Sequence, residues 1–206
     1  ALRDEGLPVT SVEQLTKSPE MLDGRVKTLH PAIHAGILAR DRAEDLADLA
    51  ANGFAPINMV VNNLYPFQKT VAQPGIPLQD AIEQIDIGGV TLLRAAAKNF
   101  LHVVAVCDPA DYDRIILALE KDTQVDLALR RELAVKVFAY TRDYDTAIHA
   151  FLAQDFASTR IDDDVPDQLS LGMQKVDTLR YGENPHQMAA YYSRRANSGP
   201  LGGTVL

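Results

Sequence analysis

The sequence predicts an α/β fold in which a mostly parallel sheet is flanked by helices. Residues 57–63 and 103–106 are short apolar segments rich in β-branched residues, which is the pattern of buried strands, and helix-forming segments alternate with them. Strands that alternate with helices in this way pair in parallel and carry helices on both faces. Because 47% of the 206 residues are hydrophobic, the chain can build a packed core.

The first part of the chain contains short elements separated by polar loops. Residues 1–6 are typical of the end of a helix that Gly6 stops, and residues 7–10 are typical of a short strand. Because proline lacks an N–H, Pro31 suits the first position of a new helix. Residues 43–52 place leucines among acidic residues at helical spacing, which predicts an amphipathic helix.

Helices dominate the rest of the predicted first domain. We expect helices at residues 77–85 and 88–97, the second of them apolar and buried, and at residues 109–119, where Asp108 caps the start. A long helix is predicted over residues 125–156. Its apolar residues recur at spacings of three and four and so form one stripe: Leu133, Val137, Tyr140, Tyr144, Ile148 and Phe151.

The character of the chain changes after Phe156. Residues 158–175 are polar and acidic without any period, as in a linker, and they separate a first domain at residues 1–157 from residues 176–206. About thirty residues cannot build a core of their own, so we expect them to begin a second, longer domain. The chain starts without Met in what resembles a helix already under way, so we also expect residues upstream of Ala1.

Composition argues against several classes of protein. The net charge of −8 disfavours nucleic-acid binding, which needs a concentrated cationic face. No apolar run approaches the roughly 20 residues that span a bilayer. Cys107 is the only cysteine, so no internal disulfide can form, and a reducing, intracellular compartment fits. We expect Cys107 to be buried filler, and the His30/His34 spacing is a weak indication of zinc because no further ligand pattern accompanies it.

A basic loop before Pro31 is the first candidate for a functional segment. It carries Arg25, Lys27 and Thr28, and residues two apart on an extended backbone point to the same side. A guanidinium, an ammonium and a hydroxyl together suit a phosphate or a developing oxyanion. A solvated surface turn is the alternative.

Two further segments, one after a strand and one before a helix, are candidates for ligand binding. Asn63 and Tyr65 follow the first central strand, at the carboxyl edge where open α/β sheets place their sites, although an Asn-capped turn is an alternative. Asp86 precedes Gly88 and Gly89 at a helix start, where free N–H groups and small residues let a ligand approach. A simple N-cap role is the alternative for Asp86.

Lys98 ends the helix that follows Asp86. If this helix is continuous, the two residues stand roughly 18 Å apart at 1.5 Å per residue. Either the helix ends early and the chain folds back, or Lys98 serves another surface. A cation that complements the helix dipole is the structural alternative.

Taken together, four segments closely resemble the bifunctional AICAR transformylase/IMP cyclohydrolase family of purine biosynthesis. They are residues 21–31 (MLDGRVKTLHP), 63–67 (NLYPF), 85–99 (IDIGGVTLLRAAAKN) and 179–187 (LRYGENPHQ). The resemblance implies a methylglyoxal-synthase-like cyclohydrolase domain followed by a transformylase domain, in a cytoplasmic homodimer without membrane or nucleic-acid partners. The cyclohydrolase closes formyl-AICAR (FAICAR), a purine nucleotide precursor, to IMP without a cofactor, and the transformylase uses 10-formyltetrahydrofolate as its cosubstrate.

The resemblance also implies the roles of individual residues. The positions that match the family's catalytic residues are Lys27, Tyr65, Asp86 and Lys98. The positions that match substrate contacts are Arg25, Thr28, Asn63, Ile87, Gly88 and Gly89 in the cyclohydrolase, and Arg180 and Tyr181 in the transformylase. In the family, a strand and two phosphate-gripping loops precede the segment that matches Ala1, and most of the transformylase half follows residue 206. By this resemblance the chain lacks the family's first strand-helix-strand unit, and residues 176–206 begin a second α/β domain. We therefore expect the isolated chain to be unable to transfer a formyl group, and the missing phosphate-binding loops count against cyclohydrolase activity as well.

The sequence leaves two alternatives to an enzymatic function. A non-catalytic regulatory module of the same fold would bind a phosphorylated effector, but it would not need Lys27, Tyr65 and Asp86 together. A piece that mainly assembles subunits through the long helix is the other alternative.

Overall fold

The structure is a computed structural model that describes residues 2–157 and 173–193. The chain divides into two compact units, Ala1–Ala157 and Ser158–Leu206. The helices of the first unit are α1 (Val12–Thr16), α2 (Pro31–Leu38), α3 (Ala43–Ala51), α4 (Phe67–Val71), α5 (Leu78–Glu83), α6 (Gly88–Lys98), α7 (Tyr112–Asp122) and α8 (Leu127–Ala157). Its strands are β1 (Met59–Val61) and β2 (Val104–Val106), and short 3-10 helices occupy Leu22–Gly24 and Pro109–Asp111.

The two strands of the first unit pair in parallel, as the alternating pattern predicts. Met59 lies opposite Val104, and Val61 lies opposite Val106. The chain passes from β1 through α4, α5 and α6 before it returns as β2, because a parallel partner requires a crossover connection. The predicted α/β class is confirmed.

Helices cover both faces of β2. Side chains alternate between the two faces of a strand, and Val103, Ala105 and Cys107 belong to one buried cluster, whereas Val104 and Val106 belong to another. The first cluster contains residues of α2, α4, α6 and α8, and the second contains residues of α7 and α8. β2 is therefore a central strand, which explains why its sequence is apolar throughout.

Helix α8 packs along the whole of this core. Its 31 residues extend about 46 Å at 1.5 Å per residue. Leu133, Val137 and Tyr144 from the predicted stripe are buried. The ring of Phe67 on α4 lies edge-on to the rings of Tyr144 and Phe151, with centroid distances of 6.2 and 5.8 Å. This arrangement ties the segment after β1 to the long helix.

The start of the chain differs from the prediction. Residues 2–6 form hydrogen-bonded turns rather than the end of a helix, although Gly6 does adopt a positive φ of 72°. Residues 7–10 are exposed and form no strand. Helix α1 was not predicted; it begins at a capping box in which Ser11 and Gln14 each bond the other's backbone N–H.

The remaining predicted elements of the first unit form close to their expected positions. Helix α2 starts with Pro31, and the His30 side chain caps it by accepting a hydrogen bond from the N–H of Ala32 at 3.1 Å. Helices α3, α5, α6, α7 and α8 lie within the predicted ranges or one to three residues from them. The strands are shorter than predicted, because only Met59–Val61 and Val104–Val106 pair.

The described part of the second unit is an antiparallel hairpin. Strands β3 (Gln174–Leu179) and β4 (Ala189–Ser193) pair with Leu179 opposite Ala189. Of the predicted linker 158–175, residues 158–172 lie outside the described residues, and Gln174 already belongs to β3. In neither described stretch is there a helix with the length and apolar character that crossing a membrane requires.

Candidate active site

Three loops of the first unit enclose a cavity of about 740 Å³. One loop is the basic segment before α2, the second follows β1, and the third leads into α6. The cavity thus lies at the carboxyl end of β1, where parallel sheets bind ligands. Its lining residues are Glu20, Asp23, Gly24, Arg25, Lys27, Thr28, Asn62, Asn63, Tyr65, Ile82, Glu83, Ile85, Asp86, Ile87, Gly88, Gly89 and Leu92.

A tight turn shapes the basic loop. An isolated antiparallel bridge joins Met21 to Val26, and the chain reverses between them. Gly24 has a φ of 89°, and a Cβ there would lie 2.5 Å from Oε1 of Glu20, so the turn requires glycine. The reversal places Arg25, Lys27 and Thr28 on the wall of the cavity.

Both cations of this loop are paired with acids that also line the cavity. Nζ of Lys27 lies 2.7 Å from Oε2 of Glu20, and the guanidinium of Arg25 pairs with Glu83 of α5. The hydrogen bond and charge of Glu20 raise the pKa of Lys27, and the nearby phenol of Tyr65 adds to this shift. Lys27 is therefore fully protonated at neutral pH. Its side chain is 47% exposed, so solvent and ligands can reach it.

The loop after β1 contributes amides and a phenol. The N–H of Asn62 donates to the carbonyl of Val106 at 3.0 Å, which extends the strand pairing by one residue. The side-chain nitrogen of Asn62 is buried and has no hydrogen-bond partner among the described residues. Tyr65 is 60% exposed, so its hydroxyl is open to a ligand in the cavity.

Asp86 is held at the entrance to α6. Its Oδ1 accepts a hydrogen bond from the N–H of Gly89 at 2.6 Å, and its own N–H donates to the hydroxyl of Tyr144 at 2.8 Å. The capping role that the sequence left open is thus present. It occupies one carboxylate oxygen, and Asp86 still lines the cavity.

The two glycines let the walls of the cavity approach the start of α6. A Cβ on Gly89 would lie 2.4 Å from Nδ2 of Asn62 and 2.6 Å from Oδ2 of Asp86. A Cβ on Gly88 would lie 2.9 Å from Oγ1 of Thr28. All three loops therefore meet at these glycines, and no larger residue fits at position 89 without a shift.

Lys98 is separated from this cavity by the full length of α6. The helix is continuous from Gly88 to Lys98, so the alternative in which it ends early and the chain folds back is wrong. At 1.5 Å per residue, Lys98 lies about 15 Å along the helix from Gly88. Within one copy of the chain, Lys98 is exposed at the opposite end of α6.

The structure places Arg180 and Tyr181 in the second unit, directly after β3. Both are exposed, and Tyr181 retains 52% of its accessible surface. They lie in the turn that joins the two strands of the hairpin, where the N–H of Gly182 donates to the carbonyl of Gln187 at 2.9 Å.

Three groups that shape the site were not predicted from the sequence. Glu20 and Glu83 neutralise the basic loop, and the hydroxyl of Tyr144 contacts the backbone of the Asp86 loop. The signal for Tyr144 was present, since a tyrosine in an otherwise apolar helical stripe needs a partner for its hydroxyl. No local pattern indicated the two glutamates.

The groups in the cavity suit acid–base chemistry on a molecule that has an uncharged reacting part and a separate anionic group. An ammonium, a phenol and a carboxylate face one space, and a guanidinium, a hydroxyl and a helix N-terminus can hold an anionic group. Within residues 2–157 and 173–193, no cluster of three or more His, Cys, Asp or Glu side chains has the arrangement of a metal site. His30 is engaged as a helix cap.

The chain is similar to known proteins in sequence and in fold. Residues 96–204 match the family model described as AICARFT/IMPCHase bienzyme, and residues 1–91 match the model of an MGS-like domain. The chain is also similar to a solved structure, the crystal structure of ForH, with a TM-score of 0.66 and 38% identity over 74% of this chain and 79% of that chain.

Curated relatives carry the name bifunctional purine biosynthesis protein PurH. The relative from Synechococcus elongatus is 50% identical over 96% of this chain, and the one from Listeria welshimeri is 49% identical over 91% of it. The chain spans only 38% and 36% of the length of these two relatives. The resemblance stated from the four sequence segments is confirmed, and the chain belongs to the AICARFT/IMPCHase bienzyme family.

Proposed function

We propose that this chain carries the IMP cyclohydrolase centre of a bifunctional purine-biosynthesis enzyme and closes FAICAR to IMP with loss of water. The observation that carries the proposal is that Lys27, Tyr65 and Asp86 line one cavity, although they come from three separate loops. A volume of about 740 Å³ falls in the range of small-molecule sites, and the cavity offers cations for a phosphate.

Ring closure requires one bond to form and one oxygen to leave. The carboxamide nitrogen of FAICAR attacks the carbon of its own formyl group, and the formyl oxygen takes up negative charge. That oxygen then receives one proton that the carboxamide nitrogen loses and one that the formamide nitrogen loses, and it departs as water, which leaves the C=N bond of the purine. Because nucleophile and electrophile belong to one substrate, the enzyme's main tasks are orientation and charge stabilisation.

The three groups can share these tasks. Lys27, which is protonated at neutral pH and whose pKa the pairing with Glu20 raises further, stabilises the charge on the formyl oxygen. Tyr65, exposed to the cavity, relays the proton to that oxygen. Asp86, fixed at one oxygen by Gly89, orients the carboxamide or takes its proton. No step needs a cofactor.

The remaining cavity residues bind the nucleotide in this proposal. Arg25, Thr28 and the N-terminal turn of α6, which begins at Gly88, suit an anionic group. Asn63 and Ile87 line the same space. Since Glu83 and Glu20 already pair with Arg25 and Lys27, an anionic substrate must compete with these acids or draw the cations away from them.

Lys98 can join this site only from a second copy of the chain. Helix α6 holds it about 15 Å from Gly88, and its exposed position leaves it free to enter a neighbour's cavity. We therefore propose a homodimer in which Lys98 of one subunit supports the carboxamide charge in the other subunit's site.

The second unit belongs to the transformylase half in this proposal. Arg180 and Tyr181 would contact AICAR there, and 10-formyltetrahydrofolate would be the cosubstrate of the complete domain. The relatives' name, which states two functions in purine biosynthesis, supports this assignment. The single, buried cysteine fits a cytoplasmic enzyme.

The test is turnover of FAICAR by the complete gene product that contains this chain. We expect the absorbance of the purine ring to appear with FAICAR and not with AICAR, which lacks the formyl carbon that closes the ring. A regulatory module would bind FAICAR, as calorimetry can show, without forming IMP. Binding without turnover would therefore overturn the proposal in favour of that alternative.

A further inference from the structure

The hydroxyl of Tyr144 bridges two backbone groups of the loop that carries Asp86. Tyr144 lies on α8 and is 5% exposed. Its hydroxyl accepts a hydrogen bond from the N–H of Asp86 at 2.8 Å and donates one to the carbonyl of Gln84 at 2.9 Å. The loop between α5 and α6 is thus fixed on both sides of Ile85 by a side chain 58 positions away from Asp86.

Asp86 is fixed at its side chain by a different group. Its Oδ1 accepts from the N–H of Gly89 at 2.6 Å, so Tyr144 sets the main chain and Gly89 sets the carboxylate. Both anchors are rigid, because Tyr144 packs in the main buried cluster and Gly89 is part of α6. Few rotations then remain that could move the second carboxylate oxygen, and such fixation by supporting residues is what an effective catalytic group requires.

The same face of α8 also reaches the loop that carries Tyr65. Tyr140, one turn before Tyr144, is half-buried and interacts with the backbone of Leu64. A tyrosine hydroxyl is protonated at neutral pH, and burial raises the pKa of both of these tyrosines further. One rigid helix therefore contacts both loops that carry proposed catalytic residues. The hydroxyls of its two tyrosines make these contacts in addition to the packing of their rings.

We propose that Tyr144 is a positioning residue for Asp86 in the cyclohydrolase reaction, which rests on the function proposed above. It touches no reacting atom. Its hydroxyl holds the main chain of Asp86 so that the free carboxylate oxygen meets the carboxamide of the substrate. When the hydroxyl is absent, the N–H of Asp86 and the carbonyl of Gln84 lose their partner, and the loop shifts to find others.

The test compares two deletions of a buried hydroxyl on the same helix. Tyr144→Phe keeps the ring and its packing on Phe67 but removes the bridge. Thr141→Val is the matched control, because Thr141 is fully buried one turn earlier and, among the described residues, its hydroxyl bonds only to the carbonyl of Phe138 on its own helix. Both changes cost stability, but only the first one removes hydrogen bonds to the Asp86 loop.

Two measurements distinguish positioning from a purely structural role. With the complete gene product, we expect Tyr144→Phe to lower kcat for FAICAR closure about tenfold to a hundredfold, with a change in KM of less than about threefold, because a misplacement near 1 Å has this effect on catalysis. Thr141→Val should leave kcat unchanged. Amide hydrogen exchange should quicken at Asp86 in Tyr144→Phe and stay unchanged there in Thr141→Val.

The outcomes separate this inference from the proposed function. If the wild-type protein forms no IMP, the proposed function fails, and exchange at Asp86 alone decides whether Tyr144 holds the loop. If the wild-type protein forms IMP and Tyr144→Phe retains its kcat, or if both variants lose kcat equally, Tyr144 is not a positioning residue. Unchanged exchange at Asp86 would overturn the inference as well.

Discussion

Replacing Gly89 by alanine should damage catalysis more than it damages the fold. The added methyl carbon would lie 2.4 Å from Nδ2 of Asn62, 2.6 Å from Oδ2 of Asp86 and 2.9 Å from Cδ2 of Leu64. Ordinary contacts of this kind are about 3.5 Å or longer, so the carboxylate and the amide must each move by about 1 Å. The backbone of Gly89 itself has no positive φ and can accept alanine.

The size of both effects can be estimated from these contacts. Overpacking of this kind costs about 1–3 kcal/mol, and alanine regains up to about 1 kcal/mol relative to glycine within a helix. The net loss of stability is then about 0–2 kcal/mol. A displacement of Asp86 by about 1 Å lowers turnover about a hundredfold, which is equivalent to about 2.7 kcal/mol in the barrier.

Gly36→Ala provides the contrast. A Cβ there would lie 2.6 Å from the backbone carbonyl oxygen of Ala55 and 3.1 Å from Cγ1 of Ile57, and Gly36 does not line the site cavity. We expect it to lower the melting temperature at least as much as Gly89→Ala while kcat of the folded protein is unchanged. The assay is FAICAR closure followed by purine absorbance, together with thermal unfolding of each variant. If Gly89→Ala keeps the kcat of the wild type, the assigned geometry of Asp86 is refuted.

Two further changes test the charges. Lys27→Met should lower kcat about a hundredfold or more with little change in melting temperature, whereas Lys121→Met, at a lysine that is 81% exposed on α7, should change neither; equal effects would remove Lys27 from the mechanism. Asp45 accepts from the N–H and Nε of Arg40 at 2.8 Å each, which holds the pKa of its carboxyl well below its ordinary value. This lowered pKa stabilises the fold above about pH 4 and the effect fades as the pH falls further, so the gap in melting temperature between wild type and Asp45→Asn should be present at pH 7 and close in acid; a gap that persists in acid would contradict it.

The sequence predicted the elements whose patterns are long or strong. Helix α8 repeats its apolar residues over many turns, and β2 is a fully buried apolar run in which two of the three residues are β-branched. The start of the chain was harder because its signals are short. Helix α1 has five residues and depends on the capping box of Ser11. Residues 7–10 have the composition of a strand, but strand formation depends on a pairing partner, and none of the described residues supplies one.

The candidate site was predictable as a set of loops and not as a set of contacts. The rule that ligands bind at the carboxyl edge of a parallel sheet singled out the loop of Tyr65. The glycine-led helix start singled out the loop of Asp86, and its charges singled out the basic loop. All three line one cavity. The pairing of Arg25 with Glu83 and the bridge from Tyr144 to Asp86 each span 58 positions. Contacts at such separation depend on how α5 and α8 pack, and no local pattern contains that information.

The position of Lys98 leads to a test of the proposed dimer. Because α6 is continuous, Lys98 cannot reach the cavity at the other end of its own helix. It must act across a subunit interface or not at all. Lys27→Met and Lys98→Ala should each abolish most of the turnover when prepared alone. If the two variants are unfolded and refolded together, mixed dimers carry both changes in one site and neither change in the other, so about a quarter of all sites should be intact. Turnover recovered to that level would place Lys98 in the neighbouring subunit's site. Mixtures that stay as inactive as the separate variants would exclude this arrangement. If both lysines act within the same subunit, every site of a mixed dimer carries one of the two changes and none is intact.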